Sequence, residues 1–271
     1  MQLQAVPKLD FSRRNETGWL PALDSACREW GCFQLQNHEL GDGLCGSALA
    51  AMERFFALPH TDKLGIERTV DNPWGFYDRE LTKNVRDWKQ IFDLGPESDG
   101  GPFAGARTPW PAQPADFKTI MTTYYEASES LALTLLADIG KCLGVPRGTL
   151  EHEFGDGRSS FLRLNYYPPC EDPEHHLGIS HHSDAGALTV LLPDAQPGLQ
   201  FKRGEQWYPV LPEPGSLTIN IGDIVQVWST DRYRAPLHRV LTSADHSRYS
   251  APFFLNPGDD TVYAPLESAL E

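Results

Sequence analysis

Two adjacent histidines, His181 and His182, are followed by Ser183 and Asp184 in the segment GISHHSDAGALTVLL, residues 178–192. Side chains two residues apart on a β-strand point to the same face, so His182 and Asp184 should lie together and His181 should point the opposite way. An imidazole and a carboxylate on one face can bind a single metal ion. His–Asp hydrogen bonds are also common in ordinary protein cores, so this pair alone is weak evidence for a metal site.

A further histidine, His238, stands much later in the chain, at the start of a strand predicted for the segment PLHRVLT. Two imidazoles and one carboxylate on one side of a metal ion leave three coordination positions open, which is the arrangement of non-haem Fe(II) oxygenases. The candidate metal ligands are therefore His182, Asp184 and His238.

A pair of polar side chains, Arg248 and Ser250, follows His238 in the segment RYS. A guanidinium can bind a carboxylate through two parallel hydrogen bonds, and a hydroxyl on the same strand face can add a third. An arginine at an exposed sheet edge is the ordinary alternative for Arg248 taken singly. Its closeness in sequence to a candidate ligand favours a carboxylate-binding pair beside the metal.

The elements that must position these residues divide the chain into a mainly helical first part and a β-rich second part. Apolar residues at helical spacing predict helices at about 18–30, at 44–59, where a proline ends the helix, and at roughly 115–143. The short segment CFQLQN after the first helix is predicted to be a strand. Residues 71–112 are irregular and rich in aromatic side chains, which indicates loops that cover the core.

After about residue 158 the chain consists of short runs of alternating or β-branched residues separated by turn residues. These runs are SSFLRLNYY, ALTVLL, LQFKR, WYPV, SLTINIG, DIVQVWS, HRVLT and YSAPFFLNP. Strands at this spacing predict a β-sandwich or jelly roll. No linker or repeat is visible, so we predict a single domain over 1–271, with a helical and loop cap region at 1–115 and a core at 116–271 that begins with the long helix.

Composition and charge exclude several classes of partner. The chain has 23 Lys and Arg against 37 Asp and Glu, a net charge of −14, and so acidic a surface repels nucleic-acid phosphates and anionic membranes. The five cysteines include no C-x-x-C pair, which predicts free thiols in a reducing compartment. Neither a signal peptide nor an apolar run of about 18 residues is present. We expect a cytoplasmic protein, monomeric or weakly dimeric, that binds neither nucleic acid nor membrane.

Sequence motifs occur throughout the chain in a characteristic order. The first part contains VPKLDF and DSACREWGCFQLQNHEL, and the second contains NYYPPC, HSD, GLQF, EPGSLTINIGD, HRV and RYS. In order and approximate spacing these segments resemble the plant-type 2-oxoglutarate and Fe(II)-dependent oxygenases. That family includes anthocyanidin synthase, flavonol synthase, gibberellin oxidases and, more distantly, isopenicillin N synthase. The resemblance covers nearly the whole chain.

The resemblance implies an α+β fold with a mainly β core, a distorted double-stranded β-helix or jelly roll flanked by helices. It implies that His182, Asp184 and His238 bind Fe(II), and that the keto-acid end of 2-oxoglutarate binds the same ion. Arg248 and Ser250 would then bind the distal carboxylate of this co-substrate.

The positions of Asn165 and Tyr167 match residues that face the co-substrate in the resembled family, and the Tyr167 hydroxyl is the expected contact. A half-buried core tyrosine is the ordinary alternative. The implied reaction is decarboxylation of 2-oxoglutarate by O2 to succinate and CO2, coupled to hydroxylation, desaturation or another oxidation of a substrate C–H bond. Ascorbate is expected as a supporting reductant. The chain would therefore be an oxidoreductase, a 2-oxoglutarate-dependent dioxygenase.

Substrate contacts are predicted for three aromatic residues. Phe254 should share a strand face with Arg248, and Tyr77 and Phe76 belong to the aromatic region 72–110, a candidate lid. Each of these side chains could equally well pack a loop onto the core. An aromatic pocket favours a flat or apolar small molecule, such as a secondary metabolite.

Two other functions are compatible with the same motifs. A related Fe(II) oxidase that does not use 2-oxoglutarate, like isopenicillin N synthase or 1-aminocyclopropane-1-carboxylate oxidase, could use the Arg-x-Ser pair for another carboxylate. Release of succinate distinguishes the two cases. A non-catalytic binding protein on this fold is the second alternative, which iron content and oxygen uptake would test.

Overall fold

The helices lie mainly in the first half of the chain. The computed structural model describes residues 5–97, 105–155, 158–258 and 260–266. Its α-helices are α1 (Trp19–Glu29), α2 (Asp42–Phe56), α3 (His60–Leu64), α4 (Phe117–Cys142) and α5 (Asp223–Trp228). The three predicted helices are confirmed as α1, α2 and α4. Within the described ranges, no helix has both the length and the apolar character needed to cross a membrane.

The strands are short and occur mainly after α4. They are β1 (Lys8–Asp10), β2 (Cys32–Gln36), β3 (Gly75–Tyr77), β4 (Leu81–Thr82), β5 (Val85–Arg86), β6 (Gln90–Leu94), β7 (Phe161–Tyr167), β8 (Leu177–His182), β9 (Leu188–Pro193), β10 (Leu199–Arg203), β11 (Gln206–Pro209), β12 (Leu217–Ile221), β13 (His238–Leu241) and β14 (Arg248–Leu255). With one exception, the predicted strands are confirmed.

The exception is the segment DIVQVWS, which forms helix α5 and not a strand. Its β-branched residues favour a strand locally. In the structure, Ile224, Val225 and Trp228 are buried together, a spacing that matches one face of a helix. Burial against the core therefore decided the conformation of this segment.

Two sheets form the core of a jelly roll. The larger sheet has the strand order β1-β2-β12-β9-β14-β7-β6-β3, and the smaller has the order β11-β10-β13-β8. Side chains of the two sheets pack on one another, since Tyr167 of β7 clusters with Phe201 and Val240 of the smaller sheet. The expected mainly β core with flanking helices is confirmed.

Helix α4 covers the outer face of the larger sheet and leaves its inner face to the cavity. It packs on β9 and β14. Tyr125 of α4 contacts Phe253 of β14, with ring centroids 5.1 Å apart. Because side chains alternate along a strand, the neighbour Phe254 points to the opposite, inner face.

The aromatic region at 71–112 contributes to the core, in contrast to its prediction as loop cover. Strands β3 and β6 extend the larger sheet beyond β7. Phe76 and Phe92 are fully buried in the main hydrophobic cluster. Part of this region, 98–104, lies outside the described residues.

Candidate active site

Strand register brings the predicted co-substrate residues to one face of the larger sheet. On neighbouring strands β14 and β7, Arg248 is opposite Tyr167 and Ser250 is opposite Asn165. Ser250 and Phe254 both line the cavity between the two sheets, as strand alternation predicted.

The three candidate metal ligands all line this cavity. His182 ends β8 and His238 begins β13, and the two residues are directly opposite in the smaller sheet. Asp184 Oδ1 lies 3.7 Å from His182 Nε2 and 3.6 Å from His238 Nε2. The three ligand atoms lie within 4.8 Å of one another, so they fit around one metal ion. His181 is exposed and is not part of this group.

Asp184 is not on the strand that carries His182, which corrects the assumption of a continuous strand. Strand β8 ends at His182, and Asp184 lies in the following loop. Its backbone carbonyl accepts a hydrogen bond of 2.8 Å from the Asp223 amide. A side chain at Gly222 would meet the carbonyl oxygens of Gly186 and Asp184, so only glycine permits this close approach. The GD dipeptide of NIGD thus holds the Asp184 loop in place.

Backbone carbonyls orient both imidazoles. His182 Nδ1 donates to Ser180 O at 2.9 Å, and His238 Nδ1 donates to Pro236 O at 3.2 Å. Because a carbonyl only accepts, each Nδ1 carries a proton, and in a neutral imidazole Nε2 then has the lone pair that points toward Asp184. Burial and the neighbouring His238 lower the pKa of His182 to about 4, which keeps this imidazole neutral at neutral pH.

The carboxylate of Asp184 is ionised although it is buried. Burial alone would raise its pKa, but the adjacent His238 and hydrogen bonds from Thr189 and Asn220 hold the pKa below its usual value. A neutral imidazole and a carboxylate are the forms that bind a divalent metal ion.

Arg248 and Ser250 form a buried pair with unused hydrogen-bonding capacity. Their residues are 4% and 1% exposed, and Arg248 Nη1 donates to Ser250 Oγ at 3.2 Å. In the described part of the chain, Arg248 Nε and Asn165 Oδ1 are buried without a hydrogen-bond partner. Buried polar atoms without a partner are costly, so a bound carboxylate would satisfy the guanidinium. This arrangement fits 2-oxoglutarate.

Tyr167 lies between the two sheets, beneath the guanidinium. The Arg248 Cζ atom is 5.2 Å from the centre of its ring. A side chain at Gly178 of β8 would overlap this ring, so the glycine makes room for it. Tyr167 is thus a packed core aromatic that also lines the cavity.

A cavity of about 70 Å³ lies between the sheets and is lined by residues of both. Beyond the metal and co-substrate residues, its wall is mainly apolar. The apolar lining residues are Ile179, Leu191, Leu199, Val240, Pro252 and Phe254.

A buried network of charges forms another part of the wall. Lys89 and Arg163 line the cavity. Arg163 makes two hydrogen bonds of 2.7 Å to Asp93 and a third of 3.0 Å to Glu80. Lys89 Nζ forms ion pairs with Glu80, at 3.0 Å from Oε2, and with Asp87, at 3.4 Å from Oδ2. This ammonium is nearly inaccessible to water and can donate to a ligand.

The three predicted substrate aromatics lie in different places. Phe254 lines the cavity and stacks on Phe161, with ring centroids 4.7 Å apart. Phe76 is fully buried in the hydrophobic core, away from the cavity wall. Tyr77 is also absent from that wall, and its ring centre lies 3.8 Å from Arg68 Cζ and 5.0 Å from Arg79 Cζ. The structure brings only Phe254 to the metal cavity.

Several cavity residues were not found from the sequence. Arg163 stands two residues before Asn165 on the same strand, so strand alternation could have identified it. Thr189 and Asn220 stand in predicted strands, but no local pattern marks them as neighbours of Asp184. Lys89 stands in the region predicted to be loop cover, directly before β6, and the pairing of β6 with β7 brings it to the cavity.

Comparison with known sequences identifies the family. The sequence model of the 2OG-Fe(II) oxygenase superfamily matches residues 158–257, and the model described as non-haem dioxygenase in morphine synthesis N-terminal matches residues 6–113. Jasmonate-induced oxygenase 4 of Arabidopsis thaliana is 34% identical over 255 residues, which cover 92% of this chain and 71% of that protein. The chain belongs to the 2OG-Fe(II) oxygenase superfamily.

Other relatives of this oxygenase are also longer than the chain itself. Flavanone 3-dioxygenase 2 of Oryza sativa subsp. japonica is 31% identical, with 98% of this chain and 77% of that protein covered. The crystal structure of JOX2 in complex with 2OG, Fe and JA superposes with a TM-score of 0.88 and 30% identity, and covers 98% of this chain and 79% of that chain. A putative 2OG-Fe(II) oxygenase family protein from Caulobacter crescentus gives a TM-score of 0.87 at 25% identity, over 99% of this chain and 92% of that chain.

These findings confirm the reaction class expected from the resemblance. This oxygenase is an oxidoreductase of the 2-oxoglutarate-dependent dioxygenase type, and it oxidises a small metabolite. Its cofactor is Fe(II), and its co-substrates are 2-oxoglutarate and O2.

Proposed function

We propose that His182, Asp184 and His238 hold the Fe(II) ion of this oxygenase, and that Arg248 and Ser250 bind the distal carboxylate of 2-oxoglutarate. The convergence of the three ligand atoms within 4.8 Å carries this proposal. The buried, unpartnered Arg248 Nε supports the second part. Asn165 and Tyr167, opposite this pair in the register, would complete the co-substrate site.

Fe(II), when bound, would supply the open coordination positions for 2-oxoglutarate and O2, while the decarboxylation of 2-oxoglutarate and the oxidation of the substrate C–H bond would each provide two of the four electrons that reduce O2. The chain supplies binding, orientation and exclusion of water. The apolar side chains of the cavity wall, which include Ile179 and Phe254, keep water from the reacting groups. The buried Arg248 fixes the carboxylate of the co-substrate that is far from the metal.

We also propose a class of substrate: a small molecule with a flat or apolar body and one hydrogen-bond acceptor. The apolar wall with Phe254 supports the first feature. The second is supported by Lys89, whose buried ammonium borders the cavity and has three N–H donors for two neighbouring carboxylates. The ion-pair network around this ammonium contains as many cations as carboxylates, so its formal charges balance. Its members are Lys89, Arg163 and Arg68 with Glu80, Asp87 and Asp93. A carbonyl, hydroxyl or carboxylate oxygen would fit there.

The experiment that tests the function is a screen for substrate-stimulated succinate formation. The purified oxygenase is supplied with Fe(II), 2-oxoglutarate, O2 and ascorbate, and challenged with jasmonic acid, indole-3-acetic acid, gibberellins and flavanones. We expect at least one of them to raise succinate release together with an equal amount of oxidised product.

Oxygen uptake with product but without succinate would contradict the proposed role of 2-oxoglutarate and indicate the related type of oxidase. Failure to bind Fe(II) at all would contradict the proposed metal site. We further propose a cytoplasmic location, supported by the five cysteines, all of which are free thiols.

A substitution at Phe254 tests the proposed substrate surface. Leucine keeps most of the apolar volume and removes the aromatic face, on which a planar substrate can stack with about 0.5–1.5 kcal/mol beyond simple burial. We expect Phe254→Leu to lower turnover coupled to an aromatic substrate several-fold, mainly through KM, since binding common to ground and transition states is lost. Slow substrate-free succinate formation should remain nearly unchanged.

Phe76→Leu is the matched control, because Phe76 is buried in the core and absent from the cavity wall. This variant should lower the melting temperature and leave the substrate KM unchanged. Two results would show that Phe254 does not contact the substrate. One is weaker binding of 2-oxoglutarate by Phe254→Leu, and the other is a wild-type KM of this variant for every substrate.

A further inference from the structure

The two oxygens of the Asp184 carboxylate have different surroundings. Oδ1 lies 3.7 and 3.6 Å from the Nε2 atoms of His182 and His238. Oδ2 accepts a hydrogen bond of 2.5 Å from Thr189 Oγ1 and another of 2.8 Å from Asn220 Nδ2. One oxygen therefore faces the proposed metal position, and two donors occupy the other.

The two donors come from neighbouring strands of the larger sheet. Asn220 of β12 is directly opposite Thr189 of β9, so both side chains reach the same face beside the Asp184 loop. Thr189 is 2% exposed and Asn220 is 3% exposed. In so dry an environment a hydrogen bond to a charged carboxylate contributes more than at the surface, and water cannot replace a lost donor.

A carboxylate without these donors would be free to rotate and to offer both oxygens to a metal ion. Bound through both, it would occupy a coordination position that the two histidines and one carboxylate oxygen otherwise leave open. The hydrogen bonds at Oδ2 oppose that rotation, because it would break them both. They also hold Oδ1 at a fixed distance from the two imidazoles before a metal arrives, which lowers the entropic cost of binding.

We propose that Thr189 and Asn220 are positioning residues, which reserve Oδ2 of Asp184 and present Oδ1 as the single oxygen ligand of the metal. This inference rests on the proposed metal site and adds two residues that do not touch the metal themselves. It explains why a threonine and an asparagine stand opposite each other on the inner face of two central strands.

Titration of the metal-free protein with Co(II) tests the inference without any need for catalysis. Thr189→Val removes the hydroxyl at nearly constant shape, and Asn220→Leu removes the amide donor. Each variant is expected to bind Co(II) about 10–100-fold more weakly than the wild type, the range typical for loss of a partner that orients a metal ligand. Thr189→Ser retains the hydroxyl and should restore most of the affinity.

Thr218→Val is the matched control, since Thr218 is a buried threonine on β12 without a hydrogen bond to Asp184. It should bind Co(II) like the wild type. Melting temperatures of the metal-free proteins report any general loss of stability, and Asn220→Leu keeps the test decisive if Thr189→Val does not fold.

Wild-type Co(II) affinity in both Thr189→Val and Asn220→Leu would overturn the positioning role, as would an equal loss in Thr218→Val. If the wild type itself binds no Co(II), the proposed metal site fails, and that outcome is distinct from failure of the positioning role.

Discussion

Replacement of His182 or Asp184 by alanine should abolish Fe(II) binding and 2-oxoglutarate turnover. Each side chain contributes one of the three donor atoms that lie within 4.8 Å of one another. The loss should exceed the roughly 10–100-fold loss that follows removal of a partner outside the coordination sphere, because a ligand itself is gone. Iron content after dialysis and succinate formation are the two measurements.

His181→Ala is the control for this prediction, since His181 is the adjacent residue and the same type of side chain. Its side chain is exposed, on the side of Trp207, with ring centroids 6.4 Å apart. The His181→Ala variant should keep its bound iron and most of its activity. Loss of iron in His181→Ala together with its retention in His182→Ala would mean that the other histidine is the ligand.

Arg248→Lys should raise the KM for 2-oxoglutarate about tenfold or more. Lysine keeps the positive charge and loses the planar pair of parallel donors, and a hydrogen bond to a charged group contributes about 1.5–3 kcal/mol. Iron affinity should hardly change, because Arg248 is not among the three donor residues. Initial rates of succinate formation at varied 2-oxoglutarate provide the measurement.

Arg239→Lys offers a matched control on the smaller sheet. Arg239 donates to Gln200 and lies over the Trp207 ring, and it is not part of the cavity wall. This variant should show wild-type 2-oxoglutarate kinetics. Unaltered kinetics in Arg248→Lys as well would show that its guanidinium does not bind the co-substrate.

Residues close together in the sequence were predicted well because their relation depends only on strand alternation. Arg248, Ser250 and Phe254 face one side of β14, as the period of two requires. The same rule separates His181 from His182 at the end of β8. The helices at α1, α2 and α4 were also predictable, since each carries an apolar face at helical spacing.

Segments whose local preference conflicts with their packing were predicted wrongly or incompletely. The run DIVQVWS is rich in β-branched residues, yet burial of Ile224, Val225 and Trp228 on one side makes it helix α5. Asp184 reaches the metal position from a loop, through the approach of Gly222 and Asp223, and not through strand alternation.

The sequence by itself determined the family, the three metal ligands that we propose and the arginine and serine beside them, because these are side-chain types in short, ordered motifs. The tertiary structure decided which distant residues join them. Thr189 and Asn220 meet Asp184, and Lys89 and Arg163 meet at the cavity wall, only because strand register aligns β12 with β9 and β6 with β7. Register depends on the burial of whole strand faces and on the turns between them, so it cannot be read from the residues of any one motif.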